Sequence, residues 1–168
     1  MKRLILVLLA SYCLFTANSQ VVQKAIGARL SNGYGFGIEF SYQHPLTSHT
    51  RLELDAYSSF ETNWVHLGGT VLHQWVFNIE NGFQWYLGVG GSIGNSYYHY
   101  DRYDNYGKHA ENESYLTLAL NPNGGVEYNF KNIPLQLAVD GRPSINILNT
   151  SHVDPFHLSL GVAARYRF

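Results

Sequence analysis

From Phe156 to Phe168 the sequence reads FHLSLGVAARYRF, and one parity of it is wholly apolar: Phe156, Leu158, Leu160, Val162, Ala164, Tyr166 and Phe168. His157, Ser159, Gly161, Ala163, Arg165 and Arg167 take the other parity. Successive side chains of a strand point to opposite faces, so this run predicts a β-strand with one apolar and one polar face. The same period of two recurs along most of the chain, and no helical period appears beyond the first twenty residues. This alternation restricts the chain to sheet architectures whose apolar faces are all covered, by protein or by lipid.

Read on that period, the sequence predicts eight strands, at about 22–30, 34–43, 51–60, 64–77, 83–94, 115–130, 133–147 and 156–168. Asn32-Gly33 marks a tight turn, because Asn-Gly favours positive φ. Short links are expected near 44–50, 61–63, 78–82, 131–132 and 149–155. The segment Asn121-Pro122-Asn123-Gly124 carries a turn signal inside the sixth strand. Parity survives across it, from Leu116, Leu118 and Leu120 to Val126, Tyr128 and Phe130, so one strand with a bulge or kink is expected there. Residues 95–114 have no apolar period and are expected to form the one long loop.

The first nineteen residues stand apart. Lys2 and Arg3 precede an apolar run that opens at Leu4, and Ala17-Asn18-Ser19 offers small residues before a cut. That is the pattern of an export signal, with residues 20–168 as a single domain. The run is too short for a membrane-spanning helix, which needs about 20 apolar residues. The one cysteine, Cys13, lies within the signal, so the exported domain is expected to carry no disulfide.

Two compositional facts bear on which face is inside. Charged residues are 14% of the chain, against about 25% in soluble domains, and aromatics are 15%. Near-neutral net charge gives no support to nucleic-acid binding. Charged groups on the strands cluster on the polar parity: Arg29, Arg51, Arg142, Arg165 and Arg167 with Glu39, Glu53, Asp55, Glu127 and Asp140. The apolar parity carries no Asp, Glu or Arg; Lys24, near a strand end, and His73 are its exceptions. Few and balanced charges suit a sealed lumen better than a solvated surface. The aromatics agree. With alternate strands reversed, Tyr42, Trp75, Phe77, Phe83, Trp85, Tyr128, Phe130, Tyr166 and Phe168 gather near one rim, with Tyr34, Phe60 and Phe156 near the other. Aromatic girdles at both interfaces are expected of membrane barrels.

The export signal, the eight amphipathic strands and the terminal Phe168 together resemble the small bacterial outer-membrane β-barrels of the OmpA-transmembrane and OmpX type. The stretches Gly125 to Phe130, Asn132 to Leu135 and Asp140-Gly141-Arg142-Pro143-Ser144 resemble outer-membrane barrel proteins of the Bacteroidetes. The resemblance implies an all-β, eight-stranded, antiparallel up-and-down transmembrane barrel in the outer membrane, with lipid around it. It also implies that the last strand is read by the barrel-assembly machinery.

An eight-stranded barrel is just wide enough for side chains to fill, which argues against an open pore. The lumen is therefore expected to hold an ion-paired network of Arg29, Glu39, Glu53, Asp55, Glu127, Asp140, Arg142 and Arg165. No cofactor is expected, and no metal site, because no histidine has metal-ligand spacing. His157 and Ser159 form a His-x-Ser pair similar to that of the outer-membrane lipid A deacylases. Here Leu160-Gly161 follows in place of Asn-Ala, and parity points both side chains inward. In the segment 95–114, Tyr97, Tyr98, Tyr100, Tyr103 and Tyr106 make the best candidate for recognition outside the cell; Tyr supplies contact area at low entropic cost. Asp101 and Asp104 alone do not make a cation site. The expected role is structural or interactive, without catalysis. The alternatives are a lipid-modifying enzyme, a narrow channel or, were the chain soluble, a lipocalin-like binder.

Overall fold

The alternating segments form one closed barrel. A computed structural model describes residues 23–33, 35–61, 64–104, 107–148 and 154–168; the expected export signal and Tyr106 lie outside them. The strands are β1 (Ala25–Ser31), β2 (Phe36–Pro45), β3 (Thr50–Glu61), β4 (Trp64–Asn78), β5 (Phe83–Asp104), β6 (Gly107–Asn129), β7 (Leu135–Asn146) and β8 (Phe156–Arg167). Each pairs antiparallel with its neighbours in sequence, and β1 pairs with β8, so every strand has two partners. Closure is the β solution that leaves no edge along the barrel wall.

The two faces are inverted relative to a soluble protein. The inward parity is buried and polar: Arg29, Glu39, Arg51, Glu53, Asp55, Glu127, Asp140, Arg142 and Arg165 are all buried. The outward parity is exposed and apolar, as at Ile38 and Phe40 on β2, Leu87 and Val89 on β5, and Leu160 and Val162 on β8. Among the described residues, buried apolar side chains are few; Leu72, Val76 and Tyr86 are the largest of them.

Three sequence expectations change. Residues 95–104 and 107–114 are not a loop: β5 and β6 stay paired from Phe83↔Tyr128 to Asp104↔Gly107, the longest β-hairpin among the described residues. The neighbouring strands stop earlier. The β4 ladder ends at Trp64↔Tyr98 and the β7 ladder at Ala119↔Asn146, so the tip of the hairpin stands clear of the wall. At Asn121–Gly124 the chain is one strand without a bulge. The β6–β7 register is the same on both sides, from Leu120↔Ile145 to Gly124↔Gly141. That register sets Pro122 opposite Pro143, and the ladder lapses across residues 121–123. Proline has no N–H to give, so two facing prolines interrupt the ladder without shifting it.

The turn at Asn32-Gly33 takes its positive φ at Gly35 instead. Asn32 is held by β8: its N–H donates to the Leu160 carbonyl (3.1 Å) and its Oδ1 accepts from the Leu160 N–H (2.9 Å). Asn81-Gly82, in the β4–β5 link, is where consecutive positive φ values occur. Arg167, which the expected network leaves out, lies at the rim. Its Nη2 donates to the Phe130 carbonyl and its N–H to that of Pro134 (2.8 Å), holding the β6–β7 link.

Candidate functional site: a charged lumen, a polar vestibule and a projecting hairpin

The middle of the barrel is filled by guanidinium–carboxylate pairs whose members come from distant strands. Arg29 on β1 is fully buried. Its Nη2 lies 2.5 Å from Asp140 Oδ1, its Nε donates to the same oxygen at 2.9 Å, and its Nη1 pairs with Glu39. Room for that guanidinium comes from Gly161 on β8, where an added Cβ would sit about 2.4 Å from Arg29 Cζ. Arg142 on β7 donates to Glu39 (3.0 Å) and Glu53 (3.2 Å) and lies 2.9 Å from Asp55 Oδ2. Arg165 donates from Nε to Ser41 (3.0 Å), and its Nη2 lies 3.3 Å from Glu53 Oε2. Glu53 also accepts from Gln43 Nε2 at 2.6 Å.

All eight residues expected in the network are therefore together, with one group the expectation omitted. Arg51 on β3 makes a two-point pair with Glu127 on β6, at 2.9 and 2.8 Å. Its Nε donates to Gln74 at 2.6 Å, and its Cζ sits 4.9 Å from the Tyr86 ring centroid. Tyr86 joins this pair to the rest of the network by donating to Asp140 at 3.2 Å. The polar parity that Arg51 shares with those eight residues is the sequence signal for it. With Arg167 at the rim, the buried set among the described residues is four arginines and five carboxylates. Asp55 is the odd one: it shares the Arg142 Nη2 with Glu53, and neither of its oxygens accepts a hydrogen bond.

Above these pairs, toward the hairpin, the barrel opens into a polar vestibule of about 60 Å³. Ser31, Ser59, Thr70, Thr117, Ser144 and Ser159 line it, with Glu39 and Arg142 at its inner end. His66 joins its wall, between Tyr57 (Oη to Nε2, 3.0 Å) and Ser96 (Nδ1 to Oγ, 2.7 Å). The Tyr57 ring stacks on His66 and runs beside Gly68 and Gly94, where added Cβ atoms would fall 2.4–2.5 Å from its hydroxyl oxygen. His157 and Ser159 both line the vestibule, on the inner side of the wall. No group of three or more His, Cys, Asp or Glu among the described residues could hold a metal ion.

The far end of the lumen is closed by amides: Asn129 Nδ2 donates to Gln84 (2.7 Å), Gln136 Nε2 donates to Asn129 (3.3 Å), and Gln84 bonds to Asn78. Around that end lie the nine expected aromatics. Trp75, Phe83, Trp85, Tyr166 and Phe168 are exposed, and Tyr42, Phe77, Tyr128 and Phe130 are half-buried. Phe77 stacks on Trp85 at 4.3 Å, Phe83 meets Tyr128 at 4.6 Å, and Tyr128 meets Phe130 edge-on at 4.8 Å. Phe60 and Phe156 are exposed at the hairpin end, and Tyr34 lies outside the described residues. Of the five expected recognition tyrosines, Tyr97, Tyr98, Tyr100 and Tyr103 stand on β5.

A barrel lined with charge and faced with hydrocarbon is the architecture of small transmembrane β-barrels. The chain matches the N-terminal β-barrel domain of Pseudomonas aeruginosa OprF at 11% identity, over 88% of this chain and 98% of that one, with a TM-score of 0.62. It also matches Neisserial surface protein A (15% identity, 87% and 95%, 0.60) and Ail, the attachment invasion locus protein of Yersinia pestis (16% identity, 87% and 97%, 0.54). No protein-family model and no curated protein sequence matches the chain. Its fold is thus that of the small eight-stranded barrels of bacterial outer membranes.

Proposed function

We propose that this chain is an integral outer-membrane protein with a closed polar lumen, exported by its N-terminal signal, and that it serves a structural or surface-interaction role without catalysis. One observation carries the reading: the barrel buries its charges and exposes its hydrocarbon. Val139, Leu160 and Val162 are each more than half exposed, while Arg29 and Glu53 are sealed inside. Water would penalise that arrangement at every strand, and a lipid surround favours it. The aromatics at the terminus end suit the headgroup level on one side of the membrane.

Barrels of this kind have short periplasmic turns and longer extracellular connections. The β5–β6 hairpin therefore points outside the cell, and its tip, with Tyr98, Tyr100 and Tyr103 in its sequence, is the interaction surface. One of the similar structures, Ail, is known in complex with the heparin analogue sucrose octasulfate. The hairpin sequence here offers Arg102 and Lys108 against Asp101, Asp104, Glu111 and Glu113. That balance favours a partner other than a sulfated polyanion. β8, with its apolar face, is the segment for the barrel-assembly machinery to read.

The test is fractionation of cells making the full chain, with gel mobility before and after boiling. Protease added to intact cells then probes the hairpin. The expected result is an outer-membrane protein that shifts on boiling and is clipped between residues 98 and 113. A soluble protein whose mobility ignores boiling overturns the membrane reading and leaves a lipocalin-like binder in its place.

A further inference from the structure

Among the described residues, three side chains on the outward face of the barrel wall end in a basic nitrogen: Lys24, His44 and His73. They fall in one row. β3 sets Leu52 opposite His44 on one side and opposite His73 on the other. One step past the pair Ala25↔Gln43, Lys24 comes level with His44. Neighbouring strands lie about 4.8 Å apart, so Lys24 and His44 are adjacent and His73 follows about 10 Å beyond His44. No Asp or Glu stands on the outward parity of β1–β4.

The protein leaves all three with donors to spare. Lys24 is exposed, and its ammonium group has no hydrogen bond or ion pair among the described residues. His73 is half-buried; it meets Trp75 edge-on at 4.7 Å, and neither ring nitrogen has a hydrogen-bond partner among the described residues. His44 Nδ1 lies 3.3 Å from Tyr42 Oη, which leaves its Nε2. An ionisable group turned toward lipid is costly unless a partner reaches it, and for that reason it marks a site. Lys131, in the β6–β7 link at the same end of the barrel, lies instead 3.4 Å from Asn81 Oδ1.

Depth orders the row. Lys24 is at the rim, where its carbonyl accepts from the Phe168 N–H at 2.9 Å. His73 is two residues further into the wall than Trp75 of the aromatic girdle, which is about 5 Å deeper on a tilted strand. His44 lies between them in the row. A phospholipid presents its acceptors in the same order: phosphate oxygens at the headgroup, ester carbonyls beneath it, then the tails. Ammonium and imidazole N–H groups suit those acceptors, and a charged donor suits the phosphate best. Leu52 and Trp75 supply apolar surface beside them. A free anion would meet Lys24 and His44, but the desolvation cost keeps it from the hydrocarbon side, where His73 stands.

We propose that the row Lys24–His44–His73 holds one phospholipid of the leaflet at the terminus end, its phosphate between Lys24 and His44 and its glycerol esters at His73. The proposal rests on the membrane reading and is independent of what the hairpin recognises.

The experiment is a ¹⁵N-histidine NMR titration of the refolded full chain in maltoside micelles, which carry no phosphate. The probes are phosphatidylglycerol, diacylglycerol with the same acyl chains, and inorganic phosphate. His44→Gln and His73→Phe identify the two imidazole signals. Phosphatidylglycerol is expected to shift both signals saturably, diacylglycerol to act at least tenfold more weakly, and inorganic phosphate to leave His73 unmoved. Lys24→Gln is expected to weaken the lipid about fivefold, and Lys131→Gln to leave it unchanged. Both lysines are exposed, so neither variant disturbs the fold. Equal responses to phosphatidylglycerol and diacylglycerol, shifts that stay linear with lipid, or saturation of both imidazoles by inorganic phosphate would overturn the proposal. So would binding unchanged by Lys24→Gln, or equal losses from the two lysine variants. Gel mobility separates the two readings: a heat-modifiable protein that fails these tests loses the lipid site alone, and a soluble protein unshifted by boiling loses both.

Discussion

Arg51 on β3 and Glu127 on β6 meet across the lumen in a two-point pair, Nη1 to Oε1 at 2.9 Å and Nη2 to Oε2 at 2.8 Å, from strands that share no ladder. A bond of this kind braces the barrel across its diameter, where backbone pairing only runs around its circumference. Both groups are buried, so their attraction is not screened by water, and neither tolerates loss of the other.

Removing one partner strands a buried charge. Glu127→Gln or Arg51→Met is expected to cost about 3–5 kcal/mol. The double change to apolar residues of similar volume is expected to come much closer to the parent. Urea unfolding of liposome-folded protein, followed by the boiling-sensitive gel band, measures all three. Equal stability of the single and double variants would remove the pair as a brace.

The fifth carboxylate behaves differently. Asp55 shares one guanidinium nitrogen with Glu53 and accepts no hydrogen bond, whereas Glu53 also accepts from Gln43 and Arg142. A buried carboxylate with like charge beside it and no hydrogen bonds adds little to stability. Asp55→Asn is therefore expected to leave unfolding within about 1 kcal/mol of the parent or to stabilise it, and Glu53→Gln to cost about 3 kcal/mol or more. The same unfolding assay compares them, and the reverse order refutes the assignment.

Gly161 exists to admit Arg29. A Cβ there would lie 2.4–2.5 Å from the guanidinium atoms, and moving the group pulls it from Asp140 and Glu39. Gly161→Val is expected to lower stability by about 1–3 kcal/mol, in the range of overpacking. Gly141, on β7, has only the ends of Leu160 and Leu158 within 4 Å of an added Cβ, at 3.5 and 4.0 Å. Gly141→Ala is the control and is expected to be near neutral.

Val139 points outward from β7 and is 57% exposed. In lipid, Val139→Arg near the middle of the hydrocarbon is expected to cost about 2–4 kcal/mol; on a water-facing wall it would be almost silent. Folding yield and urea midpoint in liposomes give the answer. An unchanged midpoint would argue against a lipid surround.

How much of this was legible without coordinates depends on what produced each feature. Alternation is local, and it is imposed wherever one side of a strand meets hydrocarbon and the other meets polar groups. Strand number, direction and facing could therefore be read residue by residue, as with Leu87 outside and Tyr86 inside. The hairpin beyond Tyr98 could not. Strands that rise clear of the wall have no apolar side to fill, so their sequence carries no period and looks like a loop. Nor could the sequence separate a bulge from an interrupted ladder at Pro122, because the deciding fact is Pro143 across from it.

By itself, then, the sequence determined that this is a β-barrel of eight strands with its charges inside, because a two-residue period is written by the immediate surroundings of each side chain. Only the tertiary structure decided that Arg51 answers Glu127, that Gly161 makes room for Arg29, and that Pro122 faces Pro143. Those relations join residues far apart in the chain, and they depend on register and closure, which no local pattern records.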